Sequence, residues 1–285
     1  MITPAPAPDP QSVQTVTDII APAPAAALSA TLDCREAPRS GDPLPPIWHW
    51  LYFWTPSPQA ELGSDGHPRK GGFLPDLGLP RRMAAGGRIT FNAALTIGSS
   101  AERVSRVMSV EHKEGRSGRL AFVTLEHEIR TNGVTAIREE QDIVYREPAQ
   151  PGQPQPQLKS APTPAPAGPD WERIIAPTEV LLFRFSALTL NGHRIHYDRD
   201  YAREIEGYPD LVVHGPLIAT LLLDTVARFA PEAVVREYTF KAVRPTFLGN
   251  TFAICGRRAA DGQSTDLWAK DHEGYLTMSA RAVLA

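Results

Sequence analysis

From residue 88 to residue 97 the chain runs Arg-Ile-Thr-Phe-Asn-Ala-Ala-Leu-Thr-Ile, with an apolar side chain at every odd position. A period of two sends alternate side chains to opposite faces of an extended chain, so this segment predicts a strand with one buried face. Residues 102–113, 119–130 and 134–146 predict further strands, separated by Gly115-Arg116-Ser117-Gly118 and by Thr131-Asn132-Gly133. Asn-Gly tolerates the left-handed backbone that a tight hairpin needs, so an antiparallel meander is expected here. Ahead of it, residues 18–32 predict a short helix interrupted early by Pro22 and Pro24, and the aromatic run 48–54 fits either a short buried helix or a strand. Residues 55–87, rich in Gly and Pro, have too little periodicity to define an element.

The second half has another order. Residues 180–185, Val-Leu-Leu-Phe-Arg-Phe, predict a buried strand. Asp198 suits the N-cap of a short helix that places Tyr201, Ala202 and Ile205 on one face and that Gly207 can end. His214-Gly215-Pro216 precedes Leu217, Ile218, Leu221, Leu222, Thr225 and Phe229; Pro216 fits a first helical position, and a helix this apolar belongs in the interior. Strands are expected over residues 234–245, 251–258, 265–270 and 275–285.

Between the halves, prolines crowd into residues 148–170. Such a segment lacks amide donors and favours an extended conformation, which fits a semi-rigid tether; a ligand for a proline-binding domain is the alternative. The expected division is therefore a disordered start (1–14), an N-terminal domain (15–147), the linker (148–170) and a C-terminal domain (171–285). A chain of 285 residues has room for that, and 42% hydrophobic content can furnish the cores. A net charge of −3 gives no basic surface for nucleic acid. No apolar run approaches the ~20 residues of a membrane span. Cys34 and Cys255 lack metal-type spacing, and residues 1–10 lack the basic start of an export signal, so a cytoplasmic protein is expected.

Chemistry concentrates in Asn191-Gly192-His193-Arg194-Ile195-His196-Tyr197-Asp198, a loop bearing two imidazoles and a carboxamide. It resembles the hydratase motif of the MaoC-like hydratase/dehydratase family, Ser-Gly-Asp-x-Asn-Pro-(Ile/Leu)-His-x-Asp, whose Asp and His polarise one water. His196 matches the catalytic histidine, Ile195 the aliphatic position and Asp198 the following acid, while Asn191 replaces the catalytic aspartate. With that substitution the motif is similar to the branch of mesaconyl-C4-CoA and itaconyl-CoA hydratases and of the mitochondrial 3-hydroxyacyl-thioester dehydratase. Trp48-His49-Trp50, Gly72-Phe73-Leu74-Pro75, Arg81-Arg82-Met83 and Val212-Val213-His214-Gly215-Pro216 extend the resemblance over most of the chain.

The resemblance implies an α+β double hotdog, an antiparallel sheet around a central helix in each half, with the active motif kept only in the second. It implies reversible addition of water to an enoyl-CoA thioester, most specifically a C5 dicarboxylic one. His196 would move the proton, Asn191 would hold water without acting as base, and the Gly215 amide would face the thioester oxygen. His193 and His214 would line or brace the site. Arg81, Arg82 and Arg88 would clamp a carboxylate or a CoA phosphate, with solvated surface arginines as the plain alternative. Asp198 is read as a helix cap and Arg194 as its neighbour's ion-pair partner. No metal, flavin or nicotinamide is implied, CoA being part of the substrate. A homodimer of double-hotdog chains is the expected assembly, with a monomer as the alternative. Two other functions stay open: dehydration of 3-hydroxyacyl groups on acyl carrier protein, and a non-catalytic acyl-CoA-binding protein of the same fold. A thioesterase fits on fold grounds alone.

Overall fold

The computed structural model describes residues 13–115, 118–148 and 161–285. Its strands form one ten-stranded antiparallel sheet. In the N-terminal half these are β1 (Val13–Ile19), β2 (Arg81–Phe91), β3 (Ser100–Gly115), β4 (Gly118–Thr131) and β5 (Val134–Arg146). In the C-terminal half they are β6 (Trp171–Ile175), β7 (Val235–Ala242), β8 (Phe252–Arg258), β9 (Ser264–Lys270) and β10 (Leu276–Leu284). The spatial order is β1-β3-β4-β5-β2-β7-β10-β9-β8-β6, so the halves meet where β2 pairs with β7, Gly87 opposite Phe240. Asn132 and Gly133 take φ of 50° and 76° between β4 and β5, the hairpin chemistry that the dipeptide predicts.

Several boundaries differ from expectation, each for a physical reason. Residues 1–12 lie outside the described part, but Val13 and Gln14, expected to be disordered, begin β1 and pair with Arg106 and Ser105. The helix expected over 18–32 is α1 (Pro22–Thr31): Pro22 starts it, because a missing N–H costs nothing in a first turn. The expected strand 88–97 is displaced to β2. Residues 92–97 leave the sheet, yet Leu95 and Ile97 stay buried because Leu44 and Gly41 donate amides to their carbonyls. The first part of β2 is inconspicuous in sequence because Arg81-Arg82-Met83 is followed by Ala84-Ala85-Gly86-Gly87, with no alternation of large apolar and polar side chains. A Cβ at Gly86 would lie 2.6 Å from the Phe240 carbonyl oxygen, so small size there permits the two halves to join. Residues 116–117 of the expected turn lie outside the described part, while Gly115 and Gly118 on either side pair directly.

Residues 180–185 are not a strand but part of α2 (Glu179–Leu188), whose N-cap Thr178 accepts the Leu181 amide through its side chain. A short continuous apolar run fits either element by periodicity. Here Leu182, Phe185 and Ser186 are buried while Val180 and Phe183 are 64% and 65% exposed, the spacing of a helix face. The last long helix, α3 (Gly215–Phe229), carries Leu217, Leu221, Leu222 and Val226 into the main core, packed on β8, β9 and β10. Among the described residues, the N-terminal half has only the ten-residue α1 for the same purpose. Its sheet instead bears polar side chains at inward positions: Ser105 faces His127 across β3 and β4, and His127 faces Glu139 across β4 and β5.

Most of the expected linker, residues 149–160, lies outside the described part. Residues beyond it run along the C-terminal half, the Ala165 amide bonding to Gly274 O and the Asp170 amide to Gly256 O. Among the described residues no helix is long and apolar enough to cross a membrane.

Candidate active site

The loop after α2 is short and tightly tied. The Asn191 amide donates to Ser186 O, a turn of 3-10 helix spans Arg194–His196, and a π-helical turn follows at Tyr201–Ile205. Asp198 caps this turn by accepting the Tyr201 amide at 3.0 Å, and its other oxygen takes two bonds from Arg194, at 3.0 and 2.6 Å. Asp198 is thus a cap and Arg194 its partner. Gly207, at φ 70°, ends the turn as its left-handed backbone requires.

His196 is buried at 7% exposure, with Nδ1 2.7 Å from the carbonyl oxygen of Val212. A carbonyl can only accept, so Nδ1 carries the proton and Nε2 is the basic nitrogen. Burial lowers its pKa to about 4, although the Val212 carbonyl opposes the shift. The imidazole is neutral at physiological pH. His214, wholly buried, stacks on it with ring centroids 3.6 Å apart, and its Nε2 meets Ser186 Oγ at 2.8 Å. Burial first, then the neighbouring His196 and His193, push His214 far toward its neutral form. Immediately beyond, Gly215 opens α3, and amides in a first helical turn lack intrahelical acceptors. A Cβ at Gly215 would meet nothing nearer than Met278 Cε at 3.9 Å, so packing does not demand glycine there.

Asn191 turns its Oδ1 back to accept the His193 amide at 3.0 Å. Its NH2 is therefore the part available to a cavity of about 610 Å³ that Asn191, Gly192 and Pro216 line from the C-terminal half. Arg103, His127 and Gln141 line the same cavity from the N-terminal half. A second cavity, about 740 Å³, lies on the other side of His193 and is lined by Arg69, Lys70 and Arg82. Between the two stand His67 and His193, ring centroids 4.5 Å apart, with His193 also edge-on to His196 at 5.6 Å. Burial and neighbouring positive charge lower His67 to about 3 and His193 to about 2.

Asp65, His67 and His193 bring potential ligand atoms within 4.8 Å of one another, the one such grouping among the described residues. The chemistry fits a metal ion poorly. Arg82 and Lys70 already disfavour positive charge on His67, and the same field opposes a dication.

The three arginines singled out in the sequence have separate placements. Arg81 joins Glu206 in a buried ion pair at 2.5 Å, each side chain 8% exposed. Arg82 donates Nη2 to Pro68 O. Arg88 faces outward, held by Glu140 at 2.6 Å and Asp142 at 2.7 Å, and does not border the cavity beside Asn191. As a clamp inside that cavity Arg88 is displaced, because its guanidinium is already saturated by carboxylates on the exposed face.

Sequence reasoning missed the segment that holds the loop in place. The Arg194 amide bonds to Asp65 O at 2.9 Å and Arg194 Nη1 to Ser64 O at 3.0 Å. Gly66 and Gly192 touch backbone to backbone, a Cβ on Gly66 falling 2.0 Å from Gly192 O. It also missed the polar cluster of the N-terminal half. Glu139, 1% exposed, accepts from His49 Nε2 at 2.8 Å, Trp50 Nε1 at 2.9 Å and Gln141 Nε2 at 2.7 Å. Burial works against its charge, but His49 and these donors outweigh it and hold the carboxyl at about 2. A signal was present for His127, which shares one face of β4 with Ala121, Val123, Leu125 and Ile129; Glu139 sits in the polar run Arg138-Glu139-Glu140-Gln141-Asp142, which hides its inward position.

Residues 47–248 match the family model for hydroxyacyl-thioester dehydratase type 2. The chain is 46% identical over 273 residues to the mesaconyl-C(4)-CoA hydratase of Chloroflexus aurantiacus, with 94% of each covered. It is 26% identical over 285 residues to the mitochondrial hydroxyacyl-thioester dehydratase type 2 of Schizosaccharomyces pombe, covering 88% of this chain and 93% of the relative. Among solved structures it resembles a MaoC-like dehydratase from Phytophthora capsici (TM-score 0.66, 12% identity, 97% and 96% of the two chains covered). HtdX of Mycobacterium tuberculosis is similar too (TM-score 0.64, 18% identity, 94% and 99% covered). At those identities the structures establish the fold, the hotdog arrangement of MaoC-like dehydratases.

Proposed function

Because the chain belongs to the hydroxyacyl-thioester dehydratase type 2 family, we propose that it is a hydro-lyase adding water reversibly to an enoyl-CoA thioester, specifically a C5 dicarboxylic one such as mesaconyl-C4-CoA or itaconyl-CoA. The identity to a mesaconyl-C(4)-CoA hydratase supports the acyl class. The observation that carries the chemistry is the tautomer of His196, whose bond to Val212 leaves Nε2 unprotonated.

In the hydration direction a water gives a proton to His196 Nε2 as its oxygen bonds to the β-carbon. The electrons of the double bond move onto the thioester as an enolate, and the imidazolium returns its proton to the α-carbon. Asn191 can orient the water through its NH2 but cannot take the proton. The Gly215 amide, at a helix start where partial positive charge gathers, would receive the enolate oxygen. His193 and His214 border His196 and keep it neutral by excluding water. Arg69, Lys70 and Arg82 around the second cavity suit the phosphates of CoA. Assembly as a homodimer belongs to the same proposal; the exposed Val180 and Phe183 of α2 offer apolar surface for it.

The test is a substrate panel of mesaconyl-C4-, itaconyl-, crotonyl- and long-chain enoyl-CoA, following loss of enoyl-thioester absorbance. Turnover confined to long-chain substrates, or to thioesters on acyl carrier protein, would replace the dicarboxylic assignment by the carrier-protein dehydratase. No turnover of any would favour a binding protein.

A further inference from the structure

Arg103 is a cation without a task in the catalytic loop. It lies on β3 opposite Ile129 and borders the 610 Å³ cavity that Asn191 and Gly192 border from the other half. Its Nε is buried without a hydrogen-bond partner, and among the described residues no hydrogen bond or ion pair reaches its guanidinium, on which Glu139 acts only through space. The nearby carboxylate of Glu139 is already occupied by His49, Trp50 and Gln141 and is 2% exposed. Phe53 supports the guanidinium from one side, with Cζ 5.8 Å from the ring centroid. That ring is fixed in turn: Phe53 is buried at φ 61°, with its amide bonded to Asp18 Oδ2 at 2.8 Å.

A guanidinium cannot discharge by losing a proton, and taking it out of water without a partner is costly. Five N–H donors in a planar fork, held in a cavity of ligand size and unclaimed by protein acceptors, match a carboxylate. Arg81 is paired with Glu206, and Arg88 with Glu140 and Asp142, so neither offers a free fork.

We infer that Arg103 binds the free carboxylate of the acyl group, so that the thioester end lies at the catalytic loop while the acid end reaches into the N-terminal half. This rests on the dicarboxylic substrate class proposed above. It gives the polar inward face of that half a purpose: a cavity open to a charged acyl group in place of a long core helix.

The test uses the full chain with Arg103→Met and Arg103→Lys. Succinyl-CoA and butyryl-CoA differ in the terminal carboxylate and contain no double bond to hydrate, so their inhibition constants report recognition apart from turnover. The wild type should bind succinyl-CoA the more tightly, Arg103→Met should abolish that preference, and Arg103→Lys should keep part of it. For mesaconyl-C4-CoA the Michaelis constant should rise on the order of 10²-fold in Arg103→Met, with crotonyl-CoA almost unaffected. The melting temperature should stay near that of the parent, since among the described residues Arg103 makes no hydrogen bond or ion pair that Met would forfeit. A preference for succinyl-CoA that persists in Arg103→Met, one missing from the wild type, or equal losses on both substrates would overturn the assignment. Tight, Arg103-dependent succinyl-CoA binding without mesaconyl-C4-CoA hydration would leave the subsite standing and overturn the proposed reaction.

Discussion

His196 and Gly215 test the proposed chemistry most directly, His196 from a buried stack on His214 and Gly215 from open space at a helix start. His196→Gln keeps a polar side chain of similar reach but has no basic nitrogen. Turnover of a confirmed substrate should fall about 10²–10⁴-fold, with the circular dichroism spectrum near that of the parent and a lower melting temperature from the lost stack on His214; near-normal turnover would remove His196 from the mechanism. Gly215→Ala puts a methyl group where only Met278 Cε comes within 3.9 Å. The protein should fold as before, with turnover lowered where the new methyl crowds a thioester lying against that amide, which alanine itself retains; unchanged kinetics would show that no acyl group packs against this position. Their local settings, a polar loop for His196 and the start of an apolar helix for Gly215, were legible in sequence because both rest on neighbours close along the chain. Arg103 was not legible. A charged residue in a strand looks solvated until the register shows it facing Ile129 on the inner side, and which arginines are already neutralised is a fact of three dimensions.

Between elements, the catalytic loop depends on a segment more than a hundred residues before it. Gly66 adopts φ +86° and lies against Gly192, whose carbonyl also accepts the Tyr197 hydroxyl at 2.9 Å. Gly66→Ala brings both a strained backbone and a clash with backbone, so it should cost about 2–4 kcal/mol and loosen the loop, lowering turnover more than substrate affinity. Chemical denaturation and a kinetic comparison check this; a fully active, equally stable variant would show the contact to be dispensable. Composition revealed only that this stretch was rich in Gly and Pro, since irregular segments have no period to detect. The mistaken strand at 180–185 has a related cause. Apolar content was visible, but the choice of helix came from the Thr178 cap and from α2 burying one face while exposing the other.

In the whole molecule, the same burial that keeps the site neutral ties stability to pH. His67, His193 and His196 are held at about 3, about 2 and about 4, and His214 also lies well below the ordinary 6.5. As pH falls below about 6.5 the unfolded chain binds protons that the folded one refuses, so stability declines toward pH 4, by up to about 1.4 kcal/mol per imidazole per pH unit. Urea midpoints measured between pH 7 and 4.5 should fall steeply, and His214→Gln should flatten the slope; a flat profile in the parent would mean these rings are hydrated. The meander and the buried α3 were foreseeable from periodicity, but the joint between halves was not, because long-range pairing leaves no local pattern. That joint combines the β2–β7 ladder with the Arg81–Glu206 pair, where Tyr208 and Tyr201 also converge at 3.3 Å each. Glu206→Gln removes the carboxylate that Arg81 meets in this buried pair and should cost about 3–5 kcal/mol. Replacing both members at once, Arg81→Met with Glu206→Leu, removes both buried charges and should recover most of that loss. Because the two halves share one sheet and one main core cluster, the single variant should lower one cooperative unfolding transition. Two separated transitions would show that the halves fold independently, and that β2 and β7 contribute little to holding the cavity between them.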